Sequence, residues 1–328
     1  MAIANSLKWK KYHPLTDQNA FICLVDVMGD DSAITQAARV SYGKDEQKSP
    51  TSHEENQELV NTKEKDRQLI RYLMNHDHST PFEMVTMKFM VQVPMDCWRQ
   101  WIRHRAVSVN EYSTRYMEAL DFFQVTDPSE WRLQSTDNKQ GSSGFLTEWP
   151  EGWELIRGGE GEDLYDEYYR VNNELDMSFE LDFKDQSPGQ ILSRLEKNTN
   201  EYSENTYKTR LALGIAKEQA RKDLPLSTYT RAYWQCNLRN IFHFLRLRMD
   251  SHAQLEIRSF ANSMFEIIKQ LCPVACEAFE DYVLHAKKFS RMEMEIVQEL
   301  IGYSRLKEYP KPASMTDREW KEFLAKIS

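Results

Sequence analysis

The chain has 328 residues, 41% of them hydrophobic and 28% charged, which allows one large domain or two modest ones around a sizeable core. Its formal net charge of −9 argues against a general nucleic-acid binder, and no apolar run approaches the roughly 20 residues that span a bilayer. Met1–Lys11 lacks the apolar centre of a secretory signal, so the expected setting is cytoplasmic.

Along the chain, Phe21–Asp26 predicts a buried strand and Asp31–Ser41 a helix with small residues on one side. Lys44–Glu55 is polar and predicts a loop, whereas Lys63–Asn75 carries Leu69, Ile70, Tyr72 and Leu73 near helical spacing. Val85, Met87, Phe89, Val91 and Val93 alternate with Thr86, Lys88, Met90 and Gln92, the period of a half-buried strand in an antiparallel sheet. Pro94 marks a helix start. Cys97, Trp98, Trp101 and Ile102 fall on one face of that helix, and its last turn is expected to run into a loop at residues 103–115.

Ser135–Gly144 predicts a polar loop. Between Glu151 and Asp185 there are twelve acidic and three basic residues, an expected surface insertion that leaves the rest of the chain near neutral. Helices are expected over Ser193–Gln219, Arg231–Arg248, His252–Leu271 and Met292–Ile301, with a turn at Leu224-Pro225-Leu226 and a stop at Pro273. After a Pro310/Pro312 linker, Thr316 and Glu319 form a capping box for a last helix whose apolar stripe is Trp320, Phe323, Leu324 and Ile327. The fold class is α+β, a central antiparallel sheet packed with several long helices. The five cysteines are dispersed, and Cys272-Pro-Val-Ala-Cys276 is not a zinc spacing, so buried thiols are expected and no metal site.

Three polar clusters border apolar segments. Arg103-His104-Arg105 stands near Asn110, Glu111, Ser113 and Arg115; a second group is Arg221, Arg239, Arg246 and Arg248; a third is His78-Ser-Thr80-Pro-Phe-Glu83. A guanidinium carries five donors in a fixed fork that suits phosphate or carboxylate. The alternative reading of the Arg103-His104-Arg105 cluster with Glu111, Ser113 and Arg115 is an intramolecular salt-bridge network, which the two other clusters make the weaker one. Local cationic groups in a near-neutral body favour a small anionic ligand, since a polyanion needs a continuous basic track. On periodicity, Arg239, His243 and Arg246 share a helix face and Arg248 lies about half a turn away. There is no Gly-x-Gly-x-x-Gly fingerprint for a nicotinamide or FAD domain.

Arg-His-Arg, seven residues, then Ser113 resembles the signature of the flavin-dependent thymidylate synthases. Leu-Val-Asp-Val-Met-Gly at 24–29, Ala-Ala-Arg-Val-Ser at 37–41 and His78–Glu83 are similar to further elements of that family. So are Asn237-Leu-Arg239, His243–Arg248 and Asp250-Ser-His-Ala-Gln254; together the likeness covers roughly residues 20–125 and 207–282. It implies a catalytic domain over 1–290, with the acidic insertion near 151–195, and a C-terminal helical extension over 291–328. It implies FAD reduced by NADPH, 5,10-methylenetetrahydrofolate as one-carbon donor, and methylation of dUMP to dTMP. It also implies a homotetramer with active sites at subunit interfaces, and no nucleic-acid or membrane partner.

Residue by residue, the resemblance places Ser41, His78, Thr80, Glu83, Arg103, His104, Arg105, Glu111, Asn237, Arg239 and His243 at the flavin. It places Gln100, Arg103, Glu111, Ser113, Thr114, Arg115, Arg221 and Arg248 at the nucleotide, with Arg115, Arg221 and Arg248 as the phosphate pocket. His78, Arg103, Ser113 and Arg248 are its catalytic candidates, and its choice of Arg248 differs from the helical period, which selects Arg246. Two positions depart from the family pattern. Met84 stands where a histidine is frequent, and Thr114 where glycine is common, which bears on the backbone beside Ser113. A related flavin- and folate-dependent hydroxymethylase is the rival within the class; a nucleic-acid-binding module and an interaction protein are the rivals outside it.

Overall fold

The computed structural model describes residues 2–41, 43, 55–136, 139, 141–149, 153–157, 167–171, 175–178, 186–301 and 309–327. The polar stretch 44–54 lies outside them. In chain order, α1 (Ala2–Leu7) precedes strands β1 (Lys11–Tyr12) and β2 (Phe21–Met28), then helices α2 (Asp31–Val40) and α3 (Glu55–Asn75). Strand β3 (Thr86–Pro94) leads into α4 (Met95–Trp101) and β4 (Ser108–Glu111). A hairpin, β5 (Arg132–Gln134) and β6 (Ser142–Phe145), precedes β7 (Trp153–Arg157), β8 (Glu167–Val171) and β9 (Leu175–Ser178). Helices α5 (Pro188–Ala212) and α6 (Lys217–Ala220) then lead to β10 (Tyr229–Asn237), α7 (Leu238–Arg248) and α8 (Leu255–Leu271). The remaining helices are α9 (Pro273–Phe279), α10 (Arg291–Ile301) and α11 (Asp317–Ile327).

Contacts group the chain into two compact units, residues 1–28 with 85–270 and residues 29–84 with 271–328. The first unit holds the antiparallel sheet, in the order β1-β2-β3-β10-β4. The alternation along β3 does what its period requires: Met87, Phe89, Val91 and Val93 are buried, and Phe89 pairs with Trp234 of β10. Trp98 and Trp101 of α4, Trp234, Phe244 of α7 and Phe260 of α8 form an aromatic core in which every ring is buried to 1% exposure or less. Trp101 is its hub, with ring centroids at 6.0 Å from Trp98, 6.0 Å from Trp234, 4.9 Å from Phe244 and 5.7 Å from Phe260. Offset and edge-on aromatic packing of this kind adds to simple area burial.

Three expectations need correction. Arg231–Arg248 is not one helix: residues through Asn237 form the fourth strand of the sheet, and only Leu238–Arg248 is helical. The Arg-His-Arg signature begins beyond the helix, because α4 stops at Trp101, and the expected loop over 103–115 is interrupted at Ser108–Glu111, which pairs with β10 as an edge strand. Ser142–Gly144 belong to a β-hairpin rather than to a loop. Within the acidic stretch, β7, β8 and β9 form a three-stranded antiparallel sheet.

In the second unit, the carboxylate of Asp31 accepts from the amides of Val274 (2.8 Å) and Ala275 (3.0 Å) and so caps α9. Burial raises the Asp31 pKa to about 6, against the pull of those two amides. The capping box at the last helix forms as expected: Thr316 N donates to Glu319 (2.7 Å) and Glu319 N donates to the Thr316 hydroxyl (3.2 Å). Its apolar stripe is half-buried at Trp320, Phe323 and Leu324 and buried at Ile327. All five cysteines are free and buried. Among the described residues, no helix is long and apolar enough to cross a membrane.

Candidate active site

Where β4 leaves the sheet, the chain is pinned on both sides. Glu111 lies opposite Ala232, and Tyr112 N donates to the Arg231 carbonyl at 2.8 Å. The Ser113 carbonyl then accepts from Tyr116 N (3.2 Å) and Met117 N (3.0 Å), closing a turn. Thr230 Oγ1 donates to Glu111 Oε1 at 2.8 Å, and Arg221 Nη1 donates to Thr114 Oγ1 at 2.6 Å. These groups line a cleft of about 660 Å³, within the size range of small-molecule sites. The cleft therefore gathers Glu111, Ser113, Thr114 and Arg221 from the sequence candidates. It adds Arg99, Glu218 and Lys222, which sequence reasoning left out. The missed cations had a local signal, Arg99 being one residue before Gln100 and Lys222 following Arg221.

The Thr114 departure is accommodated. The positive-φ non-glycine residues among those described are Trp9, Gln18 and Asp77, so Thr114 needs no glycine-like backbone. Its hydroxyl receives the Arg221 donor that a glycine could not. Ser113 Oγ accepts from Arg115 N at 3.4 Å, a contact that orients the hydroxyl without activating it.

Gln100, Arg115 and Arg248 do not line the cleft. Arg115 pairs with Glu218, one of its lining residues, at 3.3 Å, and both side chains are 55% exposed. Arg248, the last residue of α7, donates from Nη2 to the Gln100 carbonyl at 3.0 Å, while Arg246 is exposed. Burial lowers the Arg248 pKa, and its Nε is a buried donor with no hydrogen-bond partner. Gln100 donates in turn to the side-chain carbonyl of Gln254, whose amide donates to Asp96 at 3.0 Å. Of the two arginines, Arg248 is thus the one built into the end of α4.

His104 follows the end of α4, its amide donating to the Trp101 carbonyl at 3.1 Å. Its half-buried ring stands edge-on to Phe244 (4.9 Å) and His243 (5.6 Å), and its Nε2 is buried without a partner. Burial, followed by the charges of Arg248 and His243, lowers its pKa to about 4, so the ring is neutral near pH 7. Arg103, Arg105, Arg239 and His243 are exposed. Asn237 caps α7 by accepting from Asn240 N at 3.0 Å, so its side-chain oxygen is already engaged. Ser41, at the C-terminus of α2, and His78, Thr80 and Glu83, around a 3-10 turn, belong to the second unit. A neutral imidazole with an unused ring nitrogen, next to guanidinium groups, fits the polar edge of a flavin, where donors stabilise negative charge on the reduced ring.

The depressed His104 pKa has a testable consequence. A base that resists protonation when folded contributes stability above its ordinary value of 6.5, and that contribution is lost as pH falls from 6.5 towards 4. In His104→Gln, the drop in urea midpoint between pH 7.5 and pH 5 is expected to be smaller than in the parent. Equal drops in both proteins would show that His104 protonates freely in the folded state.

A cleft of this size lined by guanidinium, carboxylate and hydroxyl groups, with a neutral imidazole among arginines in the same unit, defines an enzyme acting on a small anionic ligand. The chain belongs to the flavin-dependent thymidylate synthase family. The family described as "Thymidylate synthase complementing protein" matches residues 23–274. A flavin-dependent thymidylate synthase of Rickettsia conorii is 38% identical over 308 residues, 93% of this chain and 90% of the relative. One from Dictyostelium discoideum is 39% identical over 268 residues, 82% of this chain and 71% of the relative. Among solved structures, a UMP/dUMP methylase PolB from Streptomyces cacaoi, bound with 5-Br dUMP, superposes with a TM-score of 0.60 at 29% identity, covering 81% of this chain and 96% of that one.

Proposed function

We propose that the protein methylates dUMP to dTMP, with FAD as cofactor, NADPH as reductant and 5,10-methylenetetrahydrofolate as one-carbon donor. The observation that carries this reading is the 660 Å³ cleft in which Arg99, Arg221 and Lys222 face Glu111, Ser113 and Thr114. Arg221 holds the nucleotide phosphate. Glu111, fixed by Thr230, accepts from the pyrimidine or sugar. Arg248 sets the C-terminal end of α4 through the Gln100 carbonyl. Arg103, His104, Arg105, Arg239 and His243 would hold the flavin on this unit. The flavin, when bound, supplies the redox step that completes the methyl group, and the neutral His104 gives it a donor without adding charge.

The same reading includes a homotetramer with active sites at subunit interfaces and a cytoplasmic setting, whose reducing conditions suit five free thiols. Purified protein incubated with dUMP, methylenetetrahydrofolate, NADPH and FAD is expected to give dTMP, with NADPH consumed in equal amount. The mass of the product decides. A hydroxymethyl nucleotide would select the rival hydroxymethylase, and faster turnover of UMP would change the substrate.

Ser113 is expected to bind rather than attack. A serine nucleophile needs an adjacent general base, and the group at its Oγ is a backbone amide donor. Ser113→Ala should keep measurable turnover, with no covalent protein–nucleotide adduct in the parent by mass spectrometry. Trapping an adduct at Ser113 would reverse this assignment.

A further inference from the structure

The last helix, α11, lies outside the family match at residues 23–274, yet it grips the end of α3 at the point where the flavin-facing segment begins. Its anchor is buried. Arg71, with a side chain only 6% exposed, donates to Glu277 (2.6 Å), Asp281 (2.7 Å) and Glu319 of α11 (2.7 Å). Burial pushes Glu319 up, but hydrogen bonds from Tyr282, Thr316 and Arg71 outweigh it and hold its pKa at about 2. Such a network fixes α11 in one register on α3.

Beside that anchor, two α11 side chains reach the last turn of α3. The Arg318 guanidinium sits 3.6 Å above the Tyr72 ring, and its Nε donates to Glu322 at 3.0 Å. Glu322 accepts from Asn75 at 2.9 Å and lies 3.6 Å from His76 Nε2. Tyr72, Asn75 and His76 are followed at once by Asp77, at a φ of +55°. There the amides of Asp77 and His78 donate back to the Met74 (3.3 Å) and Leu73 (2.9 Å) carbonyls, a Schellman cap with aspartate in the position glycine usually takes. His78 emerges from this cap with Tyr72 edge-on at 5.8 Å and His76 at 6.2 Å. Of the two rings beside His78, Tyr72 is covered by Arg318 of α11, and His76, whose Nδ1 lies 2.9 Å from the Tyr72 carbonyl, has Glu322 of α11 beside it.

We propose that Arg318 and Glu322 are positioning residues for the segment His78–Glu83, setting Tyr72 and His76 and through them the His78 ring, so that α11 raises the affinity for flavin. The inference rests on the reading of His78 as a flavin contact. It differs from a merely stabilising role for α11, because loosening the helix elsewhere would leave the Tyr72–His76–His78 arrangement intact.

The test uses the full-length, flavin-free protein and two readouts, FAD titration by flavin fluorescence and hydrogen exchange of amides 76–84. Arg318→Met and Glu322→Gln are each expected to raise the Kd for FAD about threefold to tenfold, the combined scale of an exposed ion pair and a cation–π contact. Both should speed exchange over 76–84. Arg318→Lys, which keeps a cation above Tyr72, should stay near the parent. Ile327→Ala, which loosens α11 by packing alone, should lower Tm with little change in Kd. The proposal is overturned if both charge variants bind FAD like the parent, or if all the variants lose affinity in proportion to lost Tm. A parent that takes up no FAD would instead overturn the flavin reading, and the exchange data would still decide whether α11 orders the segment.

Discussion

Arg221→Ala is expected to weaken dUMP binding by about 2–5 kcal/mol, towards the low end because the side chain is only half-buried. Arg221 lines the cleft and is oriented by the Thr114 hydroxyl at 2.6 Å, so its fork is already ordered before a phosphate arrives. A preorganised donor loses little freedom on binding, which is why its removal should be costly. Arg115 provides the contrast. It is 55% exposed and paired with an equally exposed Glu218 at 3.3 Å, a geometry whose loss costs about 0.2–1 kcal/mol. Calorimetric titration of dUMP into the two variants should therefore rank Arg221→Ala well below Arg115→Ala in affinity. The reverse order would move the phosphate to the Arg115 side of the cleft. Thr114→Gly should fall between them, since it removes the acceptor that orients Arg221 and leaves the charge.

How much of this was legible in the sequence depended on whether a residue's role was local. Strand β3 was readable because one of its faces is buried along nearly its whole length and the period is two. Strand β10 carries the same signal, with Ala232, Trp234 and Cys236 buried, but it runs into α7 without a loop. Asn237 is both its last residue and the cap of the helix, so the two elements read as one long helix. Strand β4 gave no signal, because all four of its residues are exposed and only the backbone of β10 makes it a strand. The signature residues named a family from their spacing alone. Which of them meet is a tertiary matter: Arg221 reaches Thr114 across 107 positions, and Arg248 reaches Gln100 across 148. Helical period alone favours Arg246, which is exposed, whereas the family resemblance selects Arg248, the residue that reaches Gln100.

Trp101→Ala is expected to lower the stability of the folded chain by about 3–5 kcal/mol, the range for emptying a large aromatic site in a close-packed core. Trp101 is fully buried, at 0% exposure, and its ring meets four others, so its neighbours cannot collapse into the space without breaking their own contacts. The indole N–H makes no hydrogen bond in this core, although burial of an unpaired donor costs free energy. Trp101→Phe should therefore be far milder than the alanine change, about 1.5 kcal/mol or less, because it removes the orphan donor while keeping most of the ring. The site should feel the difference as well. Trp101 is the last residue of α4, which carries Arg99 into the cleft and Gln100 to Arg248, and His104 hangs from its carbonyl. Loss of Trp101 should thus weaken dUMP binding in Trp101→Ala under conditions where it is still folded, and spare it in Trp101→Phe. Urea denaturation of the three proteins, followed by dUMP titration, provides both readings. Equal destabilisation by alanine and phenylalanine would mean that the indole N–H has a partner and that the core depends on it.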